Sequence, residues 1–263
     1  MGLFEMFGLG AVHAGDAGEA RARKLAPPET FFAGDALALL LAARAGDAVR
    51  LRNLVANGAN PNSHGPASAS KAVPQLTLLG YATYWNDERA MSLLIAHGAD
   101  PLFEARQEDG NAFLLAIVRR DATGLDLLLR LFPMTQIPAA TLSEIAFSAL
   151  GFNCRPCLEV LFRQGLPPGI EDRAHYTLFM TALLREDLDM AEWLLVDVKV
   201  PLTAQTVRGV TGPNMVQRAL TDDYRPGTPT YARYERFQAI MAQRGVKFPV
   251  ETAAQIRARL QLK

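Results

Sequence analysis

Residues 37–62 read LALLLAARAGDAVRLRNLVANGANPN. The stretch holds two short helical patterns, a Gly-Asp turn between them at Gly46 and Asp47, and a Gly-Ala-Asn-Pro stop from Gly58 to Pro61. Small Ala42 and Ala43 sit in the first pattern, where a neighbouring backbone must come close. The second pattern places Val49, Leu51, Leu54 and Val55 on one face. A helix pair this short cannot bury its own apolar side. It needs copies of itself stacked against it, and the chain supplies them.

The copies can be counted by arithmetic. In the first helix of each pair, Ala42, Ala82, Ala116, Ala149, Ala182 and Ala219 are separated by 40, 34, 33, 33 and 37 residues. In the second helix, Leu54, Leu94, Leu128, Leu161, Leu194 and Met241 are separated by 40, 34, 33, 33 and 47. Two independent ladders share a step near 33, and the longer steps fall where loops are long. The pattern predicts an all-α chain of about six helix-turn-helix repeats at residues 34–250. An N-terminal tail or cap occupies 1–33 and a C-terminal capping helix 251–263.

The repeat resembles the ankyrin repeat, whose units carry a T-P-L-H-x-A core and end in a Gly-Ala-Asp stop. The core stands here as Thr77-Leu-Leu-Gly-Tyr-Ala82, Asn111-Ala-Phe-Leu-Leu-Ala116, Thr177-Leu-Phe-Met-Thr-Ala182 and Asn214-Met-Val-Gln-Arg-Ala219. The stop stands as Gly58-Ala-Asn-Pro61 and Gly98-Ala-Asp-Pro101, and more weakly at Gly165 and Gly245. The family's proline and histidine are absent from every core, and Phe132 and Val198 replace the terminal glycine in the third and fifth copies. The resemblance implies an ankyrin solenoid with irregular helix ends in the middle of the array, and a chain that works by recognising another protein.

Composition agrees with a chain that has a sizeable core. Apolar residues make up 49% and charged residues 21% of the 263. The 27 basic and 27 acidic residues cancel, so no global basic field exists to hold nucleic acid or anionic lipid. No run of about 18 apolar residues is present, so no membrane span is expected. The N-terminus lacks Lys or Arg before Arg21 and carries Glu5 within its apolar run, which makes a poor signal peptide. Met6 also stands where a myristoylation signal wants Ser or Thr. A cytoplasmic protein is the simplest expectation.

Ahead of the repeats, Leu3, Phe4, Met6, Phe7 and Leu9 read as a cap on the open end of the array or as an anchor, and Phe31 and Phe32 as packing on the first repeat. The insertion Asn62 to Pro74 is a solvated loop, either tolerated or contacting a partner. At the far end, Ala254, Ile256, Leu260 and Leu262 are available to close the array.

Candidate binding residues lie at the turns between paired helices. The second copy has Tyr84, Trp85 and Asn86 there, the third Arg119 and Arg120, the fourth Phe152, Asn153 and Arg155, and the fifth Arg185 and Glu186. Tyr224 and Arg225 in the loop of the last copy extend the series. Tyr84 and Trp85 point about 100° apart on a helix, so one of them is expected at the surface. Taken singly each charged position reads as solvated turn. Taken as a row, repeated every period, they are the best candidate surface.

Catalytic patterns are missing: there is no H-E-x-x-H, phosphate loop, G-x-S-x-G or dinucleotide fingerprint. Cys154-Arg-Pro-Cys157 has the spacing of a redox pair at a helix start, but no βαβ unit accompanies it. As a zinc site it is two ligands short, and His13, His64, His97 and His175 share no ligand spacing with it. Free cysteines acting as small apolar side chains are the expectation, with a redox or small-molecule sensor as the alternative. No enzyme activity, cofactor or metal is expected. The divergent repeats resemble those of bacterial ankyrin proteins, some of which act as immunity proteins. That analogy implies a partner such as a toxin or lipase effector enzyme, neutralised by occlusion, with a cytoplasmic regulatory scaffold as the alternative.

Overall fold

The computed structural model describes residues 26–65, 76–105 and 110–261. The apolar N-terminal segment from Leu3 to Leu9, Leu262, and the insertion from residue 66 to 75 lie outside them. The described residues contain thirteen α-helices and no strand. Three isolated antiparallel bridges, His64 with Thr77, Glu171 with Thr177 and Gln205 with Thr211, close the bases of the loops between pairs. The chain falls into two compact units, Met1–Pro138 and Ala139–Lys263.

The first unit holds three helix pairs: α1 (Gly34–Ala45) with α2 (Ala48–Ala56), α3 (Leu78–Tyr84) with α4 (Glu88–Ala96), and α5 (Ala112–Val118) with α6 (Ala122–Leu131). Each pair packs on the next, through contacts of α1 with α3 and α4, of α3 with α5, and of α4 with α6. The second unit holds α7 (Ala139–Gly151) with α8 (Arg155–Arg163), α9 (Leu178–Leu184) with α10 (Leu188–Val196), α11 (Gly212–Arg218) with α12 (Pro229–Gln243), and the terminal α13 (Ala253–Leu260). Contacts of α7 with α9, α9 with α11 and α10 with α12 join these pairs.

The alanine ladder marks one recurring hydrogen bond. The carbonyls of Ala42, Ala82, Ala116, Ala149, Ala182 and Ala219 accept from the amides of Asp47, Asp87, Asp121, Cys154, Asp187 and Tyr224, at 2.8 to 3.0 Å. In the first five, the residue just before that donor is left-handed and its amide returns to the carbonyl three residues back. Together these bonds make the Schellman helix stop. The left-handed residues are Gly46, Asn86, Arg120, Asn153 and Glu186. Glycine adopts this conformation freely, whereas the other four hold a Cβ in it at a cost. The alanines themselves are at most 3% exposed, because the neighbouring pair lies on them.

The donor of each stop also starts the next helix. Asp47, Asp87, Asp121 and Asp187 accept the amides of Arg50, Ala90, Gly124 and Met190, so the turn satisfies both helix ends at once. Four of the second helices end the same way: Ala59, Ala99, Leu166 and Val246 donate to Leu54, Leu94, Leu161 and Met241 beside a left-handed glycine. The third and fifth lack that glycine. Helix α6 stops at Phe132 in an extended conformation, and α10 unwinds through Asp197 to a left-handed Lys199.

Several residues lie elsewhere than their pattern indicates. The helix leading to Ala219 is capped by Thr211 and not Asn214, whose side chain completes a capping box from the third helical position. From that cap the chain runs eight residues to Ala219, against five from Thr77 to Ala82, and a π-helical segment at Ala219–Asp223 then ends at an extended Tyr224. Val49 is 64% exposed and not on the buried face of α2, where Leu51 is the fully buried residue. Phe31 and Phe32 reach past the first pair to the ring of Tyr81 in the second, at 6.0 and 5.8 Å, and the Tyr81 hydroxyl donates to the Ala26 carbonyl. Helix α13 docks through the buried Ile256, against the left-handed Gly209, where a Cβ would meet the Ala253 carbonyl at 2.9 Å, and through Arg257, which donates to the Arg208 carbonyl at 2.9 Å. Ala254 and Leu260 stay exposed.

Candidate functional site

Within the first unit the turns bring Tyr84, Trp85, Asn86, Arg119 and Arg120 together. Arg119 stands one residue before its left-handed position, and its guanidinium donates to the Tyr84 carbonyl at the end of the preceding first helix, at 3.0 Å. It also lies over the Tyr84 ring, 3.3 Å from the centroid. Burial pulls the Arg119 pKa below its ordinary value, against the opposing pull of Tyr84 and Asp121. Arg119 thus ties two repeats together. The Asn86 amide reaches toward the Asp121 carboxylate at 3.5 Å.

Trp85 and Arg120 face outward. Trp85 is 39% exposed, with its ring edge-on to Tyr84 at 5.7 Å. Arg120 is exposed on a left-handed backbone. Both project from turns fixed at each end by helix stops and aspartate caps, so little conformational freedom remains to be lost when something binds them.

In the second unit the corresponding turns hold Phe152 and Asn153, then Arg185 and Glu186, then Tyr224. Arg185 repeats the role of Arg119, donating to the Gly151 carbonyl of the preceding pair at 3.1 Å. Glu186 accepts from the Tyr224 hydroxyl at 3.2 Å. Tyr224 is drawn inward, its ring stacked on Tyr234 at 5.2 Å. Burial raises the pKa of both phenols, and the carboxylate of Glu186 adds to the effect. Arg225 is exposed at the loop. Arg155 points elsewhere: it pairs with Glu159 at 3.0 Å one turn along α8 and sits 5.0 Å over the Trp193 ring.

Leu184, two residues before Glu186, is 59% exposed and went unnoticed among the leucines of its helix. Its register could have flagged it, since it occupies in the fifth copy the place that Tyr84 holds in the second.

Cys154 and Cys157 are joined in a disulfide, which corrects the expectation of free thiols. Both are fully buried. Cys154 stands at the cap position that aspartate fills in the four other tight turns, and its sulfur accepts the Cys157 amide. Among the described residues no group of three or more His, Cys, Asp or Glu side chains is placed to hold a metal ion. No helix there is long and apolar enough to cross a membrane.

No family model and no curated protein matches the sequence. Solved structures do. The ankyrin repeat domain of Bcl-3, a unique member of the IkappaB family, aligns over 83% of this chain and 90% of its own, with a TM-score of 0.58 and 17% identity. EF0377, an ankyrin repeat protein, aligns over 80% of this chain and 99% of its own, with a TM-score of 0.50 and 17% identity. The fold is that of the ankyrin repeat. At this identity the likeness speaks for the fold, and the ankyrin turns of this chain carry side chains that must be read by themselves.

Proposed function

We propose that the protein is a non-enzymatic recognition module that binds a partner protein through the turns of its repeats. The observation that supports this most is Trp85, a large aromatic left 39% exposed on a turn held rigid at both ends, with the exposed Arg120 in the neighbouring repeat's turn. Tryptophan and arginine are the side chains that dominate binding energy at protein interfaces. In the second unit the exposed Leu184 beside Arg185 supplies a similar apolar and charged pairing.

The finer proposal is an immunity protein for a bacterial toxin or lipase effector, acting by occlusion in the cytoplasm. It rests on analogy between repeat proteins. The test is to co-purify the product of the neighbouring gene with the wild-type chain and with Trp85→Ala and Arg120→Glu. The wild type retains the product and both variants release it while keeping their helical circular dichroism. Retention by both variants removes the turns from the interface. If the product is an enzyme whose activity is unchanged by saturating amounts of this protein, occlusion is wrong and the recognition module stands.

A further inference from the structure

Helix α1 has the composition of a helix with neighbours on every side, yet it stands first in the array. Ten of its twelve residues are Gly, Ala or Leu, and Asp35 and Arg44 are its only charged ones. A helix apolar all round belongs in a core. Helix α3, which lies between α1 and α5, follows that rule and buries six of its seven residues. Helix α1 buries four, Leu39, Leu40, Ala42 and Ala43. On its other side Gly34, Leu37, Ala38, Leu41 and Ala45 recur at helical spacing and form an apolar strip with no helix pair beyond it among the described residues. Leu41 is 39% exposed. Arg44 does not interrupt the strip, because it is turned toward the second pair, where it meets Asp87 at 3.6 Å and the Tyr81 ring at 6.0 Å.

Size and tether decide what covers the strip. A helix of twelve residues is about 18 Å long and about 10 Å wide, so one face offers roughly 200 Å². Beside it α2 exposes Arg50, Arg52 and Asn53, which keeps the apolar area narrow. A separate protein chain needs about 800 Å² per partner for a stable contact. A segment of the same chain needs far less, because a short tether holds it at an effective concentration on the order of millimolar. The described chain begins at Ala26, and its first turn, Pro28–Thr30, already packs against α1. The apolar run of Leu3, Phe4, Met6, Phe7 and Leu9 is joined to that point by sixteen residues, enough to span the length of α1. The other end of the chain is covered in the same manner: Gln217 of α11 exchanges hydrogen bonds of 3.1 and 2.6 Å with the carbonyl and amide of Val250, just ahead of α13.

We propose that the strip on α1 is the docking site of the chain's own Leu3–Leu9 run, which covers it as a following pair covers an internal first helix. The two apolar surfaces leave water together, and neither carries a charge that must be matched. The contact does not rest on the turn surface, so either can fail without the other.

The test uses the full chain with a nitroxide attached at Ala11→Cys, two residues past the apolar run. Cys154 and Cys157 are joined, so the introduced thiol is the one labelled. In nitrogen-15-labelled protein the Leu37 and Leu41 amide signals broaden, while those of α6, two pairs away, keep their width. Leu41→Glu, at a position already exposed, abolishes the broadening. So does the double replacement Phe4→Ser with Phe7→Ser, which lies outside the described helices. A mixture of nitroxide-bearing chains without the isotope and isotope-labelled chains without the nitroxide shows no broadening, since the contact is made within one chain. Equal broadening of α1 and α6, none at α1, broadening in the mixture, which would make a second copy the occupant, or broadening that survives both replacements overturns the proposal.

Discussion

The guanidinium of Arg119 lies over the ring of Tyr84, 3.3 Å from its centroid, and donates to the carbonyl of the same tyrosine at 3.0 Å. Arg185 makes the same donation to Gly151 in the second unit. An arginine one residue before the left-handed position of a turn is thus placed to satisfy a carbonyl left open where the preceding repeat's first helix ends. Two of the arginines that read from the sequence as a charged stripe join repeats to one another.

Replacing Arg119 by alanine removes a charged hydrogen bond and a stacked cation together, and is expected to cost about 2 kcal/mol of unfolding free energy. Lysine at this position recovers little, because an ammonium group cannot stack flat while donating sideways. Chemical denaturation of the wild type, Arg119→Ala and Arg119→Lys measures both effects. A loss below about 0.5 kcal/mol for alanine means that Arg119 is an ordinary surface residue.

Arg120, the next residue, separates stability from binding. Its left-handed backbone strains a residue with a Cβ by about 1 kcal/mol, and its side chain is exposed. Arg120→Gly relieves that strain and loses part of the gain to a more flexible unfolded chain. A melting temperature equal to or above the wild type's is expected, together with weaker retention of a partner. A variant that is clearly less stable shows that the side chain has a structural role.

The fold was legible because the ladders follow hydrogen bonds, and Ala42 through Ala219 each accept the bond that closes a turn. Spacing fixed that end of the first five first helices. It did not fix the last copy, where a capping box moves the start to Thr211 and a π-helical segment stands in place of the left-handed stop. The candidate surface was less legible. Arg119 and Arg120 are adjacent and alike in sequence, yet one is half-buried across a repeat and the other exposed. Only the left-handed geometry of the turn separates them. Val49 and Leu184 show the same limit, because periodicity places a residue on a face without saying whether a neighbour covers it.

The aspartate caps should be worth similar amounts wherever the turn is the same. Asp121 accepts the Gly124 amide at 2.9 Å, and Asp187 accepts that of Met190 at 3.1 Å. Asp121→Ala and Asp187→Ala are each expected to cost about 1 kcal/mol, with asparagine recovering most of it. Thermal melts of the four variants test this. Alanine variants that melt with the wild type would mean that the stops alone hold these turns.

Tyr224 and Tyr234 are stacked at 5.2 Å; burial and then the carboxylate of Glu186 hold Tyr224 protonated beyond its ordinary value of 10.0, and burial, then Tyr224, then Glu186 do the same for Tyr234. When the chain unfolds these phenols lose their protons at the ordinary value. Above about pH 10 the folded state therefore binds more protons than the unfolded one, and stability falls as pH rises. Below that value the contribution is complete and insensitive to pH. Tyr234 is 4% exposed and carries the larger shift, so Tyr234→Phe is expected to flatten the decline between about pH 10 and pH 11 while leaving the neutral-pH melt within about 1 kcal/mol. Denaturation midpoints measured across that interval for the wild type and Tyr234→Phe decide it. Parallel curves would assign the alkaline loss to other groups.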